Sequence, residues 1–283
     1  RLEELAPHTA SDSTWGIAAA VETPSGPVDL GTGVVAGEAR RQVRIDGKQA
    51  RGQTALAPYC AAVWLTPQMD RLFLDGAEER RRFLDRLVFG TDPAHAGRLT
   101  AYQNTRRQRQ RLLSEGRADP AWLDALERTL AQRAVEQWLA EQPALAVEDR
   151  LASAWRTNRS TDAALGQTSL GVHRSDMAVW YAGRDLPADQ CSTGEQKALL
   201  IGLVLASARL TAAERGVQPL VLDEIAAHLD PSRRAALYAR LLESGAQVWL
   251  TGTEPALFEP LGDAAQYFQV ADGHLTASTG VPR

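Results

Sequence analysis

Leu220-Val221-Leu222-Asp223-Glu224 is an apolar run that ends in two adjacent carboxylates. A continuous apolar run of this length is of buried-strand type, and in open α/β sheets ligands bind beyond the carboxyl ends of the strands. Asp223 and Glu224 are therefore placed to face a site. Two neighbouring acids suit metal-assisted phosphate chemistry. One can hold Mg²⁺, which prefers carboxylate and phosphate oxygens, and the other can orient or deprotonate an attacking water. Taken alone, the pair reads equally well as solvated acids closing a strand.

Upstream, Ser192-Thr193-Gly194-Glu195-Gln196 directly precedes an apolar helix predicted over Gly194–Thr211. Ser192 or Thr193 is a ready N-cap, and Glu195 places negative charge in the first turn. The same helix start offers a phosphate a hydroxyl and the backbone N–H of Gly194, which lets a ligand approach because it has no side chain. Downstream, Ala227-His228-Leu229-Asp230-Pro231 puts Asp230 at the cap of a helix predicted over Pro231–Glu243, followed by a buried strand over Gln247–Leu250. Strand–helix–strand alternation of this kind indicates a parallel α/β sheet.

The earlier part of the chain differs. Residues 14–65 are β-rich: Thr14–Glu22, Pro27–Gly33 and Val43–Ile45 are separated by Pro24-Ser25-Gly26, Gly37 and Asp46-Gly47, and a strand over Ala61–Leu65 ends at Thr66-Pro67. Helical spacing then dominates over Glu78–Phe89, Pro93–Glu115 and Pro120–Glu141, with Pro93 and Pro120 placed as first-turn prolines. In the last of these, Trp122, Leu123, Leu126, Leu130, Val135 and Leu139 form one apolar stripe that reads as core packing. Met177–Tyr181 is predicted as a strand. Gly31-Thr32-Gly33-Val34-Val35-Ala36 satisfies the loose dinucleotide-loop pattern, but the β-like stretch Gln42–Ile45 follows where that fingerprint requires a helix, so it reads as a hairpin loop.

Composition narrows the classes. The chain has 283 residues, is 44% hydrophobic and carries a net charge of −4, which excludes a disordered chain. Cys60 and Cys191 are its only cysteines, too few for a disulfide framework or a four-thiolate zinc site, and they fit a reducing, cytoplasmic setting. The longest apolar stretch, Ala198–Ala206, is too short to span a bilayer, so no membrane is expected as a partner. His8, His95, His173, His228 and His274 never show close ligand spacing. Only Lys48 and Lys197 are lysines, and arginines cluster at 40, 41 and 44, at 80–82 and 86, and at 106, 107, 109 and 111. Arg107 and Arg111 share a helix face. These clusters read as solvated helix surface or as local phosphate contacts, for which Arg81, Arg107 and Arg111 are the candidates.

Signature-like Ser-x-Gly-Glu-Gln, a helix, a strand ending Asp-Glu, then Leu-Asp-Pro and a further strand: in this order the chain resembles the ATP-binding-cassette ATPases, in which two heads sandwich two ATP molecules. The resemblance implies that Ser192 and Gly194 touch the γ-phosphate held by a second head, with Glu195 and Gln196 completing the signature. It further implies that Asp223 serves Mg²⁺, Glu224 acts on the water, and Asp230 couples the two sites. Gln68 falls near where such heads place the Q-loop. Thr251 and Thr253 stand where these ATPases usually carry a switch histidine and are weaker phosphate candidates. Val43–Gly47, Thr66-Pro67, Gly76–Asp85 and Gly171-Val172-His173-Arg174-Ser175-Asp176 narrow the likeness to the RecF family of DNA replication and repair proteins. The interval from Gln68 to Ser192 is longer than in transporter heads and shorter than in SMC-type heads.

Membership in that family implies a cytoplasmic, ATP-dependent homodimer that binds DNA where duplex meets a single-stranded gap, acts with RecO and RecR, and helps load RecA. The chain departs from the family in one respect above all: no G-x-x-x-x-G-K-[ST] occurs, and the only Gly-Lys pair is Gly47-Lys48. The expected fold is an α/β ABC-ATPase head lacking its first strand and Walker A loop, with a helical insertion. Residues 1–70 form the β-rich part of lobe I, 71–165 the helical lobe II or arm, and 166–283 the C-terminal ATPase part. With Arg1 in place of Met, the chain reads as N-terminally truncated, and on its own it is expected to bind ATP weakly or not at all. The helical region also reads as shortened between about Glu141 and Asp149. The alternatives are a non-catalytic DNA- or RecR-binding module and another cassette-type head.

Overall fold

The structure is a computed structural model that describes residues 14–281 apart from 24, 36, 37, 39, 117, 118, 138–143, 217, 228 and 279. Arg1, His8, Pro24, Ala36, Gly37, Leu139, Glu141 and His228, named above, lie outside the described residues. Two compact units are present, one formed by residues 1–71 with 190–283 and the other by 72–189.

The first unit opens with an antiparallel meander: β1 (Trp15–Thr23), β2 (Gly26–Val34), β3 (Gln42–Ile45) and β4 (Lys48–Gln49), paired in that order. Asp46 and Gly47 link β3 to β4 with φ of 48° and 74°, the left-handed pair that makes Asp-Gly a two-residue hairpin turn. The stretch from Gly31 is not the hairpin loop expected from sequence. Gly31 and Gly33 lie inside β2 and pair with β1 on one side and β3 on the other. At Gly33 a Cβ would stand 2.4 Å from the Trp15 carbonyl oxygen, so the glycine serves a close strand approach. β5 (Val63–Leu65) follows, with Val63 and Leu65 buried.

Residues 72–189 form the helical unit: α1 (Ala77–Thr91), α2 (His95–Glu115), α3 (Pro120–Gln137), α4 (Ala144–Thr157) and α5 (Arg159–Leu165). α2 begins at His95, so Pro93 precedes the helix instead of opening it. α3 packs on both α2 and α4 around Tyr102, Leu130, Ala131, Ala134 and Trp155. The apolar stripe of α3 is buried at Leu123, Leu126, Leu130 and Val135, while Trp122 is 52% exposed and belongs to the outer face.

A polar centre runs through this core. Arg109 is wholly buried, although sequence grouped it with surface arginines. Its Nε donates to Glu127 at 2.9 Å, Nη1 to Asp162 at 2.7 Å, and Nη2 to the Trp155 carbonyl at 2.9 Å. Arg159 closes the network on Glu127 at 2.7 Å.

The segment 166–189, assigned from sequence to the C-terminal ATPase part, clusters with the helices. Specific bonds hold it there. Trp155 Nε1 donates to the Leu170 carbonyl at 2.9 Å, Tyr102 OH to His173 at 2.8 Å, and Arg80 grips Asp176 with both Nε and Nη2, at 2.7 and 2.8 Å. The strand expected over Met177–Tyr181 is reduced to β6 (Trp180–Tyr181), which pairs with β7 (Leu186–Pro187).

The chain then returns to the first unit with α6 (Thr193–Arg215), β8 (Leu220–Leu222), α7 (Pro231–Glu243), β9 (Val248–Leu250), β10 (Tyr267–Ala271) and β11 (His274–Ser278). β5, β8 and β9 form a parallel sheet with β8 in the centre, and β10 and β11 form a separate hairpin. Leu220 and Leu222 are 1% exposed, as a central parallel strand requires. β9 is less buried than expected, with Trp249 48% exposed, because it is the sheet's edge among the described residues. α6 is long and apolar enough to cross a membrane by length and composition alone. It nevertheless packs on β5 and buries Leu200, Ile201 and Val204 together with the polar Glu195, Gln196 and Lys197, the pattern of a core helix.

Candidate phosphate site at the strand ends

The carboxyl ends of the three parallel strands are bonded to one another. Asp223 N donates to the Leu65 carbonyl at 2.9 Å, and Thr251 N donates to the Leu222 carbonyl at 3.1 Å. Thr251 thereby stands directly beside the two acids. Its hydroxyl donates to Asp223 Oδ1 and accepts from the Glu224 backbone N–H at 3.1 Å, so one side chain orients both acidic residues. Glu224 has φ of 49°, a left-handed conformation that costs a non-glycine residue about 1 kcal/mol and clusters at functional sites. The Thr251 hydrogen bond holds it in that conformation and leaves the exposed Glu224 side chain beyond the sheet.

No cluster of three or more His, Cys, Asp or Glu suited to a metal ion occurs among the described residues. The donor set at the strand end is one carboxylate backed by a hydroxyl. Such a set fits Mg²⁺, which uses one or two carboxylates and draws its other ligands from phosphates and water. Asp223 Oδ2 accepts no hydrogen bond among the described residues and is the oxygen that could hold the ion.

The start of α6 is built as a capping box. Ser192 donates from both its N–H and its Oγ to Glu195 Oε2, at 2.9 and 2.7 Å, and its Oγ accepts from the Glu195 N–H. The Glu195 carboxylate is therefore turned back onto the cap. Gln196 is buried and donates to the Cys191 carbonyl at 3.1 Å, which fixes the turn into the helix. Both side chains shape the signature segment from within, while Ser192 and Thr193 are exposed and Gly194 is partly so. Lys197, not singled out from sequence, is buried and reaches Asp70 at 3.2 Å in the 3₁₀ turn Pro67–Arg71. That salt bridge ties α6 to the turn carrying the exposed Gln68.

Asp230 caps α7 by accepting the Arg233 N–H at 2.9 Å and pairs with the Arg233 Nε at 3.3 Å. The Arg233 guanidinium lies against the signature glycine, where a Cβ on Gly194 would come within 2.6 Å of its Nη1. Gly194 and Asp230 are thus brought together around one cation that the sequence reading missed. The signal was present, since Asp230 and Arg233 stand three apart at a helix start, but only the fold shows that this turn of α7 meets α6.

The remaining candidates separate. Thr253 is exposed and makes no hydrogen bond among the described residues. In the helical unit, Arg81 donates to the Ser175 carbonyl, whereas Arg111 pairs with Glu115 at 2.8 Å on an exposed face.

No protein-family model matches the chain. It is 41% identical to the DNA replication and repair protein RecF of Rhizobium rhizogenes, in an alignment covering 95% of this chain and 82% of that protein. Against RecF of Allorhizobium ampelinum the identity is again 41%, over 93% of this chain and 81% of the relative. The chain belongs to the RecF family. The fold agrees. A solved structure of the recombination mediator protein RecF-ATPrS in the RecFOR pathway matches with a TM-score of 0.82, over 98% of this chain and 83% of that one, at 15% identity. A RecF-ATP structure matches with a TM-score of 0.74 over 89% and 77%, at 16% identity. The α/β head expected from sequence is the fold of RecF, and the Asp223/Glu224 strand is the centre of its described parallel sheet.

Proposed function

We propose that this RecF-family chain acts as an ATP-dependent, dimerising DNA-repair clamp that binds DNA next to single-stranded gaps. The observation that carries the reading is the pair Asp223/Glu224 at the end of the central strand, both oriented by the one Thr251 hydroxyl. Asp223 would hold Mg²⁺ through Oδ2, and bound Mg²⁺ would neutralise phosphate charge. Glu224, exposed and free to turn, orients the attacking water and takes its proton. The Gly194 N–H and the Arg233 guanidinium form a separate donor pair, complementary to a γ-phosphate presented by a second head, which Ser192 Oγ joins by giving up its hydrogen bond to Glu195 Oε2. These 283 residues contain no G-x-x-x-x-G-K-[ST], so the β- and γ-phosphate cradle is not among them. On the family reading, the clamp works in the cytoplasm with RecO and RecR and helps load RecA.

Electrophoretic mobility shift of gapped duplex DNA tests the proposal, using the product of the full reading frame that encodes this chain. Mg²⁺-ATP is expected to tighten binding on the order of 10-fold, the size of an ordinary coupling between two sites. Binding that ignores ATP would favour the second reading, a non-catalytic DNA- or RecR-binding module. A second outcome concerns the switch position. Thr251→Val removes the hydroxyl that orients Asp223, and the Mg²⁺ concentration giving half-maximal ATP turnover is expected to rise about 10-fold, as for other groups that orient a metal ligand. An unchanged Mg²⁺ dependence would remove Thr251 from the site.

A further inference from the structure

The helical unit contains a cavity of about 380 Å³ whose lining includes five arginines, Arg81, Arg82, Arg106, Arg107 and Arg174, against two carboxylates, Glu78 and Asp85. Both acids are already engaged: Glu78 pairs with Arg82 at 2.6 Å and Asp85 with His95 at 2.9 Å. Arg106, on the half-buried side of α2, and the exposed Arg107 and Arg174 make no hydrogen bond or ion pair among the described residues. Three cations without ion-pair partners, in a lining where arginines outnumber carboxylates, leave the concave space electrostatically incomplete, and an anion completes it.

The wall that presents Arg174 is rigidly built. It is the segment Gly171–Asp176, which sequence singled out and the ATPase reading leaves unused. Gly171 has φ of 127°, and a Cβ there would come within 2.7 Å of the Tyr102 hydroxyl. His173 donates from Nε2 to the Thr168 carbonyl at 2.9 Å, which leaves Nδ1 to accept from Tyr102 at 2.8 Å. The Ser175 carbonyl takes Arg81, and the Asp176 carboxylate takes Arg80 through two bonds. Every residue around Arg174 is thus fixed while its guanidinium stays unpaired. Burial, with the positive charges of Arg106, Arg174 and Arg81 adding to it, pushes the His173 imidazole down to about 4, so the ring is a neutral wall and the arginines supply the charge.

We propose that this cavity binds a phosphate group of a DNA strand, with Arg106, Arg107 and Arg174 as its ligands and Arg81 alongside. The phosphate chemistry follows from the cavity itself, and the choice of DNA as its source rests on the function proposed above. Arg111, one helical turn beyond Arg107, is paired with Glu115 and lies outside the cavity lining.

Fluorescence anisotropy of a labelled oligothymidylate, with the product of the full reading frame and no nucleotide, tests this. R106Q/R174Q is expected to weaken binding about 10-fold or more and to lower the log–log salt slope by about 1.4, the loss of two single-strand phosphate contacts. R111Q, with a charge also removed from α2, is expected to stay within about twofold. R106K/R174K should recover most of the affinity, and melting temperatures should be alike, because neither arginine makes a hydrogen bond or ion pair among the described residues. Wild-type affinity in R106Q/R174Q, or equal losses in R111Q, would overturn the proposal. Inorganic phosphate at matched ionic strength is the second arm. If phosphate stabilises the wild type against melting but not R106Q/R174Q, while oligonucleotide binding is the same in both, DNA is overturned as the source. Because no nucleotide is present, failure here is distinct from failure of the ATP-dependent clamp, which the gapped-DNA assay reads separately.

Discussion

Replacing Glu224 by Gln is expected to lower ATP turnover by about 10²–10⁴-fold, the usual contribution of a positioned general base, with little change in fold or nucleotide affinity. The substitution is nearly isosteric, and the interaction that fixes residue 224 is its backbone N–H to Thr251, which Gln keeps. The left-handed backbone at this position, φ 49°, is equally open to Gln. What changes is the ability to take a proton from water. Phosphate release by the product of the full reading frame measures the effect. Turnover at the native rate would remove Glu224 from the chemistry and leave the strand end with only a metal-holding role. Asp223→Asn should behave differently. It removes the carboxylate charge that would hold Mg²⁺, so its loss should be partly recovered by raising Mg²⁺, whereas that of Glu224→Gln should not.

The largest expected effect on stability lies elsewhere, at Arg109. Arg109→Ala leaves the carboxylates of Glu127 and Asp162 buried without the guanidinium that bridges them, both being no more than 1% exposed. Breaking a buried ion pair from one side costs about 3–5 kcal/mol. Arg159 still reaches Glu127 at 2.7 Å, and Ser169 N still donates to Asp162 at 2.9 Å, but neither replaces the fork that joins them. The thermal midpoint of the helical unit should fall by about 10 °C or more, given several degrees per kcal/mol for a unit of this size. Arg107→Ala, on the exposed face of the same helix, should stay within about 0.5 kcal/mol. Equal midpoints for the two variants, read by circular dichroism on heating, would contradict this role of Arg109.

These two residues show which parts of the molecule were legible in sequence. Local signals carried far: the apolar run before Asp223 marks the central strand, Asp230 is the N-cap its spacing implied, Ser192 is the one of the two candidate caps that serves α6, and Asp46-Gly47 makes its hairpin. Each depends on residues close together in the chain. Arg109 could not be told from Arg107 or Arg111, because its burial depends on Glu127 and Asp162 arriving from other helices. Arg233 was missed for a similar reason, since nothing near it in sequence indicates that it will lie on Gly194. The glycines of β2 misled for the opposite reason. Gly31 and Gly33 resemble a loop, yet both lie inside β2, and the missing side chain of Gly33 serves its close approach to β1. Trp122 fitted the stripe of α3 by period but falls outside the arc that faces α2 and α4.

In the proposed dimer the Ser192–Gly194 helix start completes a phosphate site on a second head. Sedimentation velocity of the full reading-frame product, with and without Mg²⁺-ATP, tests it most directly when Gly194→Asp is run beside the wild type. Aspartate suits the first turn of a helix and can pair with Arg233, so α6 should fold unchanged. It also places negative charge where the γ-phosphate would approach. The wild type is expected to double its mass only with Mg²⁺-ATP, and Gly194→Asp to sediment as a single copy under both conditions. ATP-dependent doubling of Gly194→Asp to the same extent as the wild type, or a wild type whose mass ignores ATP, would contradict the account.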